Sequence, residues 1–151
     1  KDLIDDFAYD GQWKPFFESI ALAYRENSSV RDAMEGERNL QGFLKAYLAL
    51  ASYYLVEPEL EMNYGYCDFF LLPDKKRYPD IGHSYILELK YAGRTTTDTE
   101  LETQAEEGRR QLLQYSKNKI ALQLAQDTTL HLILLQFRGW DLVKCEEIAS
   151  C

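Results

Sequence analysis

Three charged residues interrupt apolar runs that otherwise read as buried strands. Asp68 sits within Tyr66 to Leu72, and Glu88 and Lys90 close the run that starts at Ser84. Unpaired charge is expensive to bury, so a fold of this chain must either gather these side chains or turn them to solvent. Strand alternation puts Glu88 and Lys90 on one face with Ile86, and Tyr85, Leu87 and Leu89 on the other. Asp68 shares its face with Tyr66 and Phe70. Between the runs, Pro73, Asp74, Pro79, Asp80 and Gly82 predict a polar hairpin loop. A hairpin centred near Tyr78 sets Asp68 directly opposite Glu88, with β-carbons roughly 5 Å apart.

The rest of the chain supplies the layers around that hairpin. Leu3 to about Arg25 has helical spacing, and Gly11 and Pro15 divide it into two short helices. Glu26 to Ser29 is a polar connector, with Ser29 placed to cap the next turn. A longer helix is predicted from Asp32 or Gly36 to Tyr54, burying Leu40, Phe43, Leu44, Tyr47, Leu48, Ala51 and Leu55. Val56 to Met62 reads as a strand, which Pro58 places at a sheet edge or leaves with its first residues outside the ladder. Asn63–Tyr64–Gly65 is a turn signal. After a Thr-rich loop, one helix is predicted from Glu100 to Ala125, burying Leu101, Ala105, Leu112, Tyr115, Ile120 and Leu124. Thr128 to Phe137 is a strongly apolar strand, and a short last strand is predicted near Asp141 to Cys145. The expected order is α-β-β-β-α-β, an α/β layout with helices on a sheet of four to five strands and extra helices at the N-terminus. Residues 1–31 are expected to form a helical extension and 32–151 the main domain. Because the sequence starts at Lys1 and not Met, it is read as part of a longer protein.

Charge narrows the function classes. The net charge of −8 argues against a module that coats nucleic acid non-specifically. It leaves room for an enzyme whose carboxylates hold a cation, because a bound ion reverses the local sign. Cys67, Cys145 and Cys151 show no CxxC or Cys/His spacing, which disfavours structural zinc and suits a reducing cytoplasm. No apolar run is long enough to span a membrane. No GxxxxGK[ST] loop is present, so this segment alone is not a P-loop ATPase.

Two acids as close as Asp68 and Glu88 repel unless a cation sits between them. All-oxygen ligands suit Mg²⁺ or Mn²⁺. Lys90, on the Glu88 face, is placed to orient an attacking water or to stabilise developing negative charge. Glu37 lies on the inward stripe of its helix with Leu40, Gln41, Leu44 and Leu48, and is the candidate helix acid. Gln111 and Tyr115, one helical turn apart, face one way and offer an amide and a hydroxyl to a phosphate or base.

With those residues in place, Asp68 followed by Glu88-Leu89-Lys90 resembles the signature of the PD-(D/E)XK nuclease superfamily. Gln111 to Tyr115 resembles the QxxxY motif of its RecB-like branch. Gly65-Tyr66-Cys67-Asp68-Phe69-Phe70-Leu71-Leu72-Pro73 and Tyr85 to Lys90 resemble the nuclease-like domain at the C-terminus of predicted AAA-ATPase-like bacterial proteins. The likeness runs from about Gly36 to Phe137. It implies a restriction-endonuclease-like core with a mixed sheet, and Mg²⁺-dependent hydrolysis of nucleic acid, DNA above all. It implies Asp68 and Glu88 as metal ligands aided by the Leu89 carbonyl, Lys90 as catalytic, Glu37 as an accessory acid, and an upstream ATPase-like domain as partner. Cys67 stands where the family name has proline, and Gln41 where many members of the subgroup carry His. The literal Pro-Asp pairs, Pro73-Asp74 and Pro79-Asp80, read as turn chemistry.

Simpler readings stand beside each of these. Glu88 and Lys90 also read as a structural ion pair, Glu37 as an exposed first-turn acid, Gln111 as helix surface and Tyr115 as core. Arg109 and Arg110 read as a solvated helix face or as phosphate contacts. His83 and His131 read as loop and strand residues, and Trp13, Phe16 and Phe17 as core. At the level of function the alternatives are two. One is a silent nuclease fold that binds nucleic acid or regulates its parent protein. The other is a hydrolase for another phosphoester.

Overall fold

The computed structural model describes residues 2–27, 36–50, 52–58, 61–62, 65–66 and 68–149. Ser29, the turn residues Asn63 and Tyr64, and Cys67 and Cys151 lie outside them. Two helices open the chain, α1 (Leu3–Asp10) and α2 (Trp13–Glu26). The break between them falls at Gly11, whose φ of +69° favours glycine and whose added β-carbon would stand 2.7 Å from the His83 ring. Pro15 does not divide the segment; it sits in the first turn of α2, where no intrahelical N–H is required of it.

Helix α3 (Glu37–Ala49) is shorter than the sequence predicts. The apolar spacing continues through Tyr54, but Tyr54 instead opens strand β1 (Tyr54–Pro58) and pairs with Pro73. Cross-strand pairing there overrides helical periodicity. The expected strand from Val56 to Met62 is therefore two elements: β1, and a short β2 (Glu61–Met62) paired with β3 (Gly65–Tyr66) in a separate ribbon. Next come β4 (Phe69–Pro73) and β5 (His83–Ala92). They pair antiparallel with Phe69 opposite Leu87, Phe70 opposite Ile86 and Leu71 opposite Tyr85, the register that the hairpin argument requires.

The expected single helix after the Thr-rich loop is also two, α4 (Asp98–Tyr115) and α5 (Lys119–Leu124). Asn118 makes the break by capping α5, its Oδ1 accepting from the N–H groups of Ile120 and Ala121. The break resets the helical phase. Ala121 and Ala125 are buried, while Ile120 and Leu124, expected in the core, are exposed. Strands β6 (Thr129–Arg138) and β7 (Asp141–Ile148) complete a five-stranded sheet of order β1-β4-β5-β6-β7. It is mixed: β5 and β6 run parallel, joined by the α4 crossover, and the other pairs are antiparallel. This is an α/β restriction-endonuclease-like core with extra N-terminal helices.

Two cores flank the sheet. On one face Phe7, Phe17, Ile20 and Tyr24 of α1 and α2, and Leu40, Leu44 and Leu48 of α3, pack against Tyr85, Leu87 and Leu89. On the other, Ala105, Leu112 and Tyr115 of α4 and Ala121 of α5 pack against Phe70, Ile86, Leu132 and Leu134. The N-terminal helices thus share the sheet's core. A polar chain pins α2 to the sheet: Trp13 Nε1 donates to Glu147 (2.9 Å), Glu147 meets His131 Nδ1 (2.8 Å), and His131 Nε2 meets His83 Nδ1 (2.9 Å). No helix among the described residues is long and apolar enough to cross a membrane.

Candidate functional site

The site forms where the β4–β5 ladder ends. Beyond the Phe69–Leu87 pair, β4 supplies no further partner, and Asp68 lies at a bend one residue before the strand. Its carboxylate takes over, with Oδ2 accepting from the Leu89 N–H at 2.7 Å. A side chain thus replaces a ladder carbonyl, and that bond fixes the carboxylate beside the Glu88 segment.

Glu88 projects toward α4 and is only 4% exposed. Its Oε2 lies 3.5 Å from Lys90 Nζ, and its Oε1 is buried with no hydrogen-bond partner. Burial raises its pKa to about 8, and the charge of Asp68 adds to that; Lys90 works in the opposite direction. The ammonium of Lys90 is also held by Glu107 Oε1 of α4, at 3.1 Å. The hydrogen bond and charge of Lys90 keep the Glu107 carboxyl below its ordinary range.

Helix α4 comes this close because residue 108 is glycine. A β-carbon there would stand 2.7 Å from Leu134 Cδ1 and 3.4 Å from Lys90 Cε. The lysine stem therefore runs beneath a notch in the helix. Gln136, beside Lys90 on β6, clamps the same helix: its Nε2 donates to the Leu101 carbonyl and to Gln104 Oε1, both at 2.8 Å. Gln104 in turn donates to the Tyr91 carbonyl at 2.9 Å. Sequence reasoning missed Glu107, Gly108 and Gln136. The signals were a glycine inside a helix and a glutamine inside an apolar strand.

A family model of the PD-(D/E)XK nuclease superfamily matches residues 35–147. The chain belongs to that superfamily. No curated protein and no solved structure matches the chain.

Within this nuclease fold the structure brings together Asp68, Glu88 and Lys90. Gln111 and Tyr115 lie on α4 and so share the sheet face of Glu88 and Lys90. Tyr115 is buried in that core, and Gln111 Oε1 is buried without a partner. Glu37 begins α3, whose packing face meets the opposite side of the sheet; its carboxylate is exposed and accepts from Gln41 Nε2 at 3.4 Å.

Two observations bear on a metal ion. Among the described residues, no three His, Cys, Asp or Glu side chains converge as a metal cluster. The Asp68–Glu88 pair nonetheless fits a hard divalent cation: two neighbouring carboxylates, with a buried Glu88 oxygen lacking any donor. Mg²⁺ characteristically takes one or two protein carboxylates and fills its remaining positions with water and substrate phosphate.

Proposed function

We propose that this nuclease-fold domain takes a nucleic-acid phosphodiester at the Asp68–Glu88–Lys90 site. The observation that carries the proposal is the buried, unpartnered Oε1 of Glu88 beside a second carboxylate that is pinned to the backbone.

In the hydrolytic form of the proposal, Asp68 and Glu88 hold Mg²⁺ or Mn²⁺, joined by the Leu89 carbonyl as the family resemblance implies. A bound divalent cation polarises the phosphoryl group and offsets the charge that builds on it. Lys90 donates hydrogen bonds toward the phosphate or the incoming water, and its positive charge opposes the negative charge that develops. Glu107 already takes one of the three N–H donors of Lys90 and so competes with substrate for the ammonium. Gln111, on the same sheet face, contributes its amide to substrate placement, whereas Tyr115, buried in the core, and Glu37, exposed on the helix packed across the sheet, stand apart from the reacting phosphate. The proposal extends to the RecB-like branch, with DNA as the favoured substrate. The setting is a bacterial cytoplasmic protein with an upstream ATPase-like domain.

A second reading asks less of the site. The acidic donor set among the described residues is a pair, Lys90 is already paired with the Glu107 carboxylate, and the chain carries net charge −8. These features favour a domain that keeps the nuclease fold without cutting. It would bind nucleic acid or regulate an ATPase-like parent. Incubation with supercoiled plasmid and single-stranded DNA, with Mg²⁺, Mn²⁺ or chelator, separates the two. Metal-dependent cutting that vanishes in Lys90→Ala supports hydrolysis. Nucleic-acid binding without cutting under any condition supports the second reading.

A further inference from the structure

Arg109 and Arg110 are neighbours in sequence and opposites in environment. Arg109 is enclosed by carboxylates: Nη1 meets Glu102 at 3.0 Å and also Glu106, and Nε meets Glu146 at 2.5 Å. Arg110 is exposed and forms no salt bridge among the described residues. With Leu113, Gln114 and Lys117 it lines a groove of about 340 Å³. These four positions recur at steps of three and four residues, so they form one stripe along α4 and the turn after it. Extended the other way, the stripe reaches Glu107, the residue that holds Lys90 and senses the charge of Arg110. The groove therefore runs out from the candidate site.

The nearby cations are already committed. Lys90 is shared by Glu88 and Glu107, Lys144 contacts Glu102, and Arg138 contacts Asp98. Arg110 and Lys117 form no salt bridge among the described residues and lie in a groove that leads from the site. At about 1.5 Å of rise per residue they lie roughly 10 Å apart, far enough for each to hold a different phosphate of one strand. A repeating polyanion matches that arrangement, and Leu113 gives the groove an apolar wall.

We propose that the Arg110–Lys117 groove is a second phosphate subsite, which holds the nucleic-acid strand flanking the phosphodiester at Asp68, Glu88 and Lys90. This rests on the reading of that site as one for nucleic acid. Arg110 and Lys117 each contact a backbone phosphate, and Gln114 donates its amide between them. Arg109, spent on three carboxylates, takes no part.

The test is fluorescence anisotropy of labelled single-stranded DNA and the matching RNA, in chelator, over a salt series. The subsite variant is Arg110→Gln with Lys117→Gln. Its charge-matched control is Lys14→Gln with Lys45→Gln, on α2 and α3 across the sheet. Losing two phosphate contacts should make the slope of log K against log salt shallower by about 1.4 and weaken binding about tenfold at low salt. The control should keep the slope of the unaltered chain. Equal slopes and affinities in the subsite variant and the control overturn the subsite. Mn²⁺ binding by Asp68→Asn reads the metal site separately. A slope change with Mn²⁺ binding intact in Asp68→Asn keeps the groove and sinks the metal assignment, while the reverse pattern does the opposite. Failure of the unaltered chain to bind either nucleic acid overturns the subsite and the nucleic-acid reading it rests on, and Mn²⁺ binding alone then decides the metal site. Tighter binding of DNA or of RNA identifies the source of the phosphates.

Discussion

Replacing Glu88 with Gln should make the metal-free protein more stable at alkaline pH, although it removes a charged residue from the centre of the site. Folded Glu88 keeps its proton up to about pH 8, whereas the unfolded chain releases it near 4.5. Between those values the folded state binds the extra proton, so raising the pH destabilises it. The contribution of Glu88 is therefore complete below 4.5 and is lost as pH rises through about 8. At about 1.4 kcal/mol for each pH unit, full ionisation costs up to about 5 kcal/mol. Water entering with the charge recovers part of that, which leaves about 2–3 kcal/mol. Glu88→Gln lacks the titration and keeps the shape. Urea unfolding monitored by circular dichroism in chelator should show the variant more stable than the parent by that margin near pH 9. The two should converge toward pH 4.5. Adding Mg²⁺ should reverse the order, because a ligand at about 1,000 times its Kd stabilises only the chain that binds it, by about 4.1 kcal/mol. A variant that is less stable at both pH values, or a difference that does not change with pH, would refute the reasoning.

Asp68→Ala should cost about 1–3 kcal/mol, because it leaves the Leu89 N–H without its acceptor; Asp68→Asn keeps an acceptor and should cost less, as urea midpoints would show. Gly108→Ala should lower stability by about 1–3 kcal/mol despite the better helix propensity of Ala, because its β-carbon meets Leu134 and the Lys90 stem; thermal unfolding checks the sign. Thr97→Ala removes the hydroxyl that accepts from the Glu100 N–H at the start of α4, leaving only the Thr97 N–H to Glu100 half of the capping box, and should cost about 1 kcal/mol, measurable by the same unfolding assay. The pKa of His83 is lowered, first by burial and then by His131, so its neutral form supports the fold. That support is present above the ordinary value of 6.5 and is lost as pH falls through the lowered one. His83→Gln should flatten the acid limb of the pH–stability profile below 6.5, and an unchanged limb would assign it to other groups.

Features set by local contacts were legible in the sequence, and those set by packing between distant elements were not. The β4–β5 register was legible because the turn residues between Pro73 and Gly82 fix the loop and alternation fixes the faces. Glu88 and Lys90 were legible as charges within apolar strands. The end of α3 was not, since Tyr53 and Tyr54 continue the helical spacing and only their pairing with the β4 end turns the chain to strand. The α4–α5 break was written in Asn118, a capping residue, but the apolar spacing on either side masked it. Glu107, Gly108 and Gln136 acquire their roles only when α4 lies across β5 and β6, and residue spacing does not encode that packing. The contrast between Arg109 and Arg110 is of the same kind, because the carboxylate that separates them, Glu146, comes from β7.

The most direct test of the Asp68–Glu88–Lys90 site is a calorimetric titration of Mn²⁺ into the protein, repeated with Glu88→Gln. Saturable binding of a divalent cation by the parent, lost in the folded variant, is the result expected. Equal binding by both proteins would contradict it and move the functional centre away from the end of the β4–β5 ladder.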